Sequence, residues 1–346
     1  MMGMGRELHS INCTGEHICP GFIDAHCYVG FESKDIQESS EHCSELTPQL
    51  KASDSISLRA KLFSQAYQAG VTTVCVLPSS PKLITGSGVV LKTFGDDLEA
   101  ICLRDPACLS VNFAYRFNHN SNKQESDYFA LMKISDELRS TFESALIYEE
   151  NRLINPDKTS IDRGQETLLA VLKRELPVHA HASTAEEITL ALRLAREFGY
   201  SLVISYAYEV HQVLKLFEEV QATIVYRPSL KISSIGMDQA LLNRSTRALN
   251  RSGIKFAQMS GYPQIALEYF SLQAGLHNRD GIDEHEALKS ITAYPAEVLG
   301  LANQIGQLKI GLDADLLRLS GPPLEIKTRV IETWLNGSVM VKGVSS

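Results

Sequence analysis

Short apolar, β-rich runs alternate with longer stretches of helical periodicity along most of this chain. The runs that predict strands fall at 21–25, 71–77, 89–92, 109–114, 177–182, 202–206, 223–226 and 254–259. Several are apolar throughout instead of alternating, the pattern of parallel strands covered on both faces. Residues 57–69 carry apolar positions at helical spacing and stop at Gly70. Residues 184–198 open on Thr184, with Glu187 three positions on as in a capping box, and end at Gly199. Residues 209–220 and 283–292 predict two further helices. Eight strand candidates interleaved with helices predict an α/β fold, a closed (β/α)8 barrel.

Two segments depart from this rhythm. Residues 118–164 are polar at both ends with a helical middle from Tyr128 to about Asn151, which predicts an insertion at the mouth or rim of the barrel. From residue 304 the pattern turns to a turn-and-strand (305–319) and a hairpin (329–335, 338–342) around Asn336-Gly337. The predicted division is therefore 1–19, a remnant of an N-terminal β-module; 20–303, the barrel; and 304–346, the C-terminal strands of that module.

Composition narrows the class. The length of 346 residues suits one large barrel, and a net charge of -8 gives no reason to expect nucleic acid as a partner. No apolar run approaches the ~20 residues that span a bilayer, and residues 1–11 carry no apolar signal core. The seven cysteines (Cys13, Cys19, Cys27, Cys43, Cys75, Cys102 and Cys108) all fall in the first third and form no CxxC pair. The expectation is a cytoplasmic protein with free, partly buried thiols.

Candidate chemistry starts at Pro20-Gly-Phe-Ile-Asp-Ala-His26, a buried strand that ends in a polar cluster. Functional residues of a barrel sit at the C-terminal ends of its strands. A histidine there either ligates a metal or hydrogen-bonds nearby backbone. This run resembles the first-strand motif PGFIDxHxH of the amidohydrolase superfamily. Ile305–Leu316 resembles that superfamily's closing stretch, I-G-x-L-x-x-G-x-D-A-D-L. The stretches 46–50, 69–74, 86–93 and 268–274, and Tyr294-Pro-Ala-Glu-Val-Leu-Gly-Leu301, resemble its imidazolonepropionase-like branch. The resemblance runs over nearly the whole chain from about Glu7. It implies a metal-dependent hydrolase barrel with a small β-sandwich built by the termini, truncated here.

In that superfamily one or two divalent metals activate water against an amide, cyclic amide or ester. Carried over residue by residue, the resemblance places the first ligand histidine at His26 and the second at Tyr28. The middle-strand lysine falls at Ser110, the next histidine at His181, and the histidine of the following strand at Tyr206. The aspartate that serves as general base falls at Gly261. Two ligands of the usual set remain, His26 and His181; four positions, Tyr28, Ser110, Tyr206 and Gly261, are lost. Phenol is a poor zinc ligand near neutral pH, serine cannot be carbamylated, and glycine supplies no carboxylate. His179, Ser183, Tyr262 and Tyr115 are expected to line the pocket, with tyrosine rings filling space that metal and water would take.

Three functions follow. The first is a catalytically inactive relative that binds a ligand or partner, as a homo-oligomer or beside an active relative. No cofactor is expected, or at most a single divalent metal such as zinc. The second is a divergent hydrolase of C–N bonds, with a metal held by His26, His181 and a rim residue such as Glu41 or His42, or with none. The third is a small-molecule binder that uses the barrel mouth. Partners are expected to be protein or small molecule, not nucleic acid or membrane.

Overall fold

The structure, a computed structural model, describes residues 10–31, 45–59, 61–78, 82–115, 127–226, 239–279 and 281–342. A first strand, β1 (His17–Pro20), leads directly into the barrel. The barrel strands are β2 (Phe22–Cys27), β3 (Val71–Val76), β4 (Ile84–Lys92), β5 (Cys102–Asn112), β6 (Val178–Ala182), β7 (Leu202–Tyr206), β8 (Ala222–Tyr226) and β9 (Phe256–Gln258). They form one eight-stranded sheet in sequence order, and β9 lies beside β2 so that the ring nearly closes. All eight predicted runs fall on these strands.

The strand directions differ from eight parallel strands. β4 runs antiparallel to both β3 and β5. Its entry explains this: residues 77–83 are too few for a crossover helix, which needs about a dozen residues or more, so the chain can only double back. Two apolar layers result. Phe22, Val71, Val74, Leu109, Ala180, Ile204 and Ile224 face outwards to the helices. Ile23, Cys75, Val90 and Cys108, with Ala25, Val203, Val225 and Ala257, fill the inside.

The helix over Ala185–Phe198 starts as its sequence dictates. The Thr184 hydroxyl accepts from the Glu187 amide, the Glu187 carboxylate accepts from the Thr184 amide, and Gly199 ends the helix at φ 76. The expected middle of the insertion is a single long helix, Asp127–Ile154; the insertion's polar start lies outside the described residues. The expected helix at 209–220 is instead two 3-10 turns, Val210–Gln212 and Leu214–Glu218. Val210 is the one buried residue in those turns, too small an anchor for a helix that depends on tertiary packing.

Both ends of the chain meet in a second sheet, ordered β1, β10 (Leu316–Leu319), β11 (Val330–Leu335) and β12 (Ser338–Lys342), all antiparallel. Among the described residues this is a single four-stranded layer, where a truncated sandwich was expected. Asn336 (φ 50) and Gly337 (φ 76) make the predicted hairpin turn. The sheet is bolted to the barrel by Lys92, at the end of β4. Its ammonium lies 2.7 Å from Asp313 and 3.1 Å from Asp315, and it also donates to the Asn336 side chain. The Asp-Ala-Asp of the closing motif thus has a structural use.

Candidate functional site at the barrel mouth

The C-terminal ends of β2, β6 and β7 bring His26, His181, His179, Ser205 and Tyr206 together. His26 and Tyr28 share a face, as i, i+2 positions on extended chain must. The His26 Nε2 lies 3.1 Å from the Tyr28 hydroxyl, and its Nδ1 lies 3.1 Å from Ser205 Oγ. Both ring nitrogens are therefore engaged. Ser205 in turn hydrogen-bonds His179 Nε2. A continuous polar chain, Tyr28–His26–Ser205–His179, runs down the barrel axis with the rings of His26 and His179 edge to face at 5.1 Å.

Tyr206 ends β7 with φ 74, and Ala207 follows at φ 46; both are left-handed, which costs a non-glycine residue about 1 kcal/mol. The turn lays the Tyr206 ring flat on His181, 3.9 Å between centroids, and edge-on to His26 at 5.7 Å. Loss of hydration, with His179 nearby, pulls the His181 pKa down to about 4, so this imidazole is neutral.

Asp24, fully buried one turn of strand below, holds the rim together. Its Oδ1 accepts from the amides of Ser260 (3.0 Å) and His26 (3.2 Å), and its Oδ2 accepts from the Ser260 hydroxyl. Burial raises its pKa to about 7 against those hydrogen bonds. Asp24→Ala is expected to cost roughly 3 kcal/mol in urea unfolding, because two amides and a hydroxyl lose their acceptor. Asp24→Asn keeps an acceptor for both amides and is expected to cost less than half as much.

The other predicted positions are spread more widely. Ser110 pairs with His179 across β5 and β6. Gly261 donates its amide to the His26 carbonyl at 3.2 Å and stitches the seam between β9 and β2. Its φ of 54 turns the chain outwards, and Tyr262 lines a cleft with Gln65, Gln68 and Leu267 on the flank of the barrel. Ser183 is spent on the helix start, its amide donating to Glu187 at 2.8 Å. Tyr115 is buried in the outer apolar layer with Phe113. Glu41 and His42 lie outside the described residues.

A divalent ion of the family's kind needs three or more converging donors, and among the described residues no group of three His, Cys, Asp or Glu ligands includes His26 or His181. The sequence reading missed Asp24, the bridging role of Ser205, and a buried trio of Cys75, Cys108 and His179 whose ligand atoms all lie within 4.8 Å of one another. The trio comes from three strands, so no spacing in the sequence signals it.

The chain is similar to known proteins over part or most of its length. Residues 226–345 match the Amidohydrolase family. A crystal structure of an amidohydrolase from Thermotoga maritima MSB8 superimposes with a TM-score of 0.85 at 27% identity, covering 97% of this chain and 90% of that one. A 5-methylcytosine deaminase from Klebsiella pneumoniae shares the fold at a TM-score of 0.55 and 13% identity, over 99% of this chain and 91% of that one. The structural neighbours thus lie in the amidohydrolase superfamily.

Among individual curated proteins, amidohydrolase tasK of Hapsidospora irregularis is 22% identical over 94% of this chain. The chain spans 36% of that relative's length.

Proposed function

We propose that this chain is a binding or partner subunit on the amidohydrolase scaffold, of the imidazolonepropionase-like branch, and that its mouth does not perform metal-assisted hydrolysis. The observation that carries this reading is the state of the two surviving histidines. His26 has both nitrogens engaged by Tyr28 and Ser205, and His181 is covered by the Tyr206 ring. The position that would hold the general base is a glycine that serves a backbone seam. Phenol rings and hydroxyls occupy the region where ligands and water would converge.

The partner role is supported by the helix over Asp127–Ile154. It exposes Tyr128, Phe129, Met132, Ile147, Leu153 and Ile154, more apolar side chains than a helix facing only water usually presents. A cleft of about 790 Å³ beside it is lined by Phe129, Met132, Arg139 and Arg193.

The second reading is a divergent hydrolase of C–N bonds. It is favoured by the likeness to amidohydrolases and by a third inward histidine, His179. One experiment separates the two. The purified chain is assayed with zinc or manganese against N-acyl amino acids, Xaa-Pro dipeptides and cyclic amides, while light scattering after gel filtration measures its mass. The expected result is no turnover above buffer and a mass above that of one chain. Turnover that disappears in His26→Ala or His181→Ala establishes the hydrolase instead.

A further inference from the structure

We propose that Cys75, Cys108 and His179 are the ligands of a buried zinc site inside the barrel, beneath the mouth and separate from the family's usual metal position. Each residue offers one donor, and the three donor atoms lie within 4.8 Å of one another. All three side chains are buried, at 0%, 3% and 2% exposure. In a tetrahedral zinc site with Zn–S bonds of about 2.3 Å, two sulfurs stand about 3.8 Å apart. The trio is therefore within about 1 Å of coordinating distance before any metal draws it in.

The strand order shows why the two thiols are a ligand pair and not a disulfide. Cys75 is on β3 and Cys108 on β5, with β4 between them. Neighbouring strands are about 4.8 Å apart, so these backbones are roughly 9–10 Å apart. A disulfide spans no more than about 7 Å between Cα atoms. Side chains that converge on the barrel axis can still share one ion.

β4 is built to let them converge. Gly88 pairs with Cys108, and Val90 pairs with Cys75. A Cβ at Gly88 would stand 3.1 Å from Cys108 Sγ and 2.4 Å from a Leu77 methyl. The missing side chain lets the Cys108 sulfur and the Leu77 methyl pack directly against β4.

The third donor is oriented from behind. Nε2 of His179 is held by the Ser205 hydroxyl, which leaves the other ring nitrogen for a metal and fixes the ring as second-layer partners of ligand histidines do. Charge selects the ion. Two thiolates and one neutral imidazole carry a charge of minus two, which a divalent ion cancels. A neutral centre avoids the cost of an uncompensated charge in an apolar interior. Sulfur and imidazole donors favour zinc over magnesium or calcium. Three protein donors leave the fourth position to one trapped water or hydroxyl.

Such an ion would staple β3, β5 and β6 together. It shares His179 with the polar chain of the mouth but not His26 or His181, and cobalt distinguishes the two positions. The full chain is expressed in cobalt-supplemented medium and purified without chelator, so that the ion is present as the barrel closes. The expected result is close to one cobalt per chain, with thiolate-to-cobalt charge-transfer absorption in the near ultraviolet and the visible bands of a tetrahedral ion. Cys75→Val and Cys108→Val are each expected to abolish the charge-transfer absorption. Cys102→Val, which removes a thiol outside the trio, is expected to keep it. Wild-type protein without thiolate-to-cobalt absorption overturns the proposal, whatever the variants do. So does absorption that survives in both Cys75→Val and Cys108→Val. Cobalt bound with only nitrogen and oxygen signatures would place the metal at the mouth, overturning both this proposal and the non-hydrolytic reading.

Discussion

Replacing His277 with leucine is expected to stabilise the protein and to remove much of its acid sensitivity. His277 lies on the helix over Phe270–Arg279 with its ring 5.7 Å from Tyr226 and 5.3 Å from Phe256. It is buried, and neither ring nitrogen finds a partner among the described residues. Burial depresses its pKa to about 3, from 6.5. A depressed histidine adds no protonation penalty above the unfolded pKa, where both states are neutral, and works against the folded state as pH falls, because only the unfolded chain takes up the proton. The loss relative to pH 7 is about 2 kcal/mol by pH 5 and about 4 kcal/mol by pH 3. Leucine carries no proton to bind and leaves no unpaired polar atom, so His277→Leu should gain about 1–3 kcal/mol at pH 7. Urea midpoints at pH 7 and pH 5 test both statements. Parallel pH profiles for the two proteins would show that His277 is solvated or paired in solution.

Lys92→Met is expected to have the largest destabilising effect of any single change at the junction of sheet and barrel, about 3–5 kcal/mol by urea unfolding. The Lys92 side chain is 5% exposed and Asp315 is 4% exposed. Methionine fills similar volume but leaves a buried carboxylate with no counter-charge. Asp315 already titrates above the usual carboxylate range because of burial, and Lys92 is among the groups that hold it down. Without the ammonium it takes up a proton more readily, so the gap between variant and wild type should narrow as pH falls. A gap that stays constant between pH 7 and pH 5, or a loss below about 1 kcal/mol, would show that the two aspartates are hydrated and the junction is loose. Pairing of β1 with β10 makes the same junction sensitive to both ends of the chain.

The amino-acid sequence alone determined which segments become strands and where several helices begin. Those properties are local: a run of apolar β-branched residues, a threonine with a glutamate three positions on, an Asn-Gly pair. By resemblance it also raised the expectation that His26, Tyr28, Tyr206 and Gly261 stand at ligand positions, because motifs at strand ends keep their spacing. The direction of β4 was within reach, since residues 77–83 are too few for a crossover, but apolar runs look the same in either direction. The tertiary structure decided the rest. Cys75, Cys108 and His179 meet because three strands bring them to one axis, and the glycine between the first two matters only once β4 is known to lie there. Ser205 bridges His26 and His179, Lys92 finds Asp313 and Asp315, and His277 is buried with no partner among the described residues, through packing between residues far apart in the chain. Periodicity reports which face of an element is buried. It carries no information on what that face meets, and the chemistry of this barrel lies in those meetings.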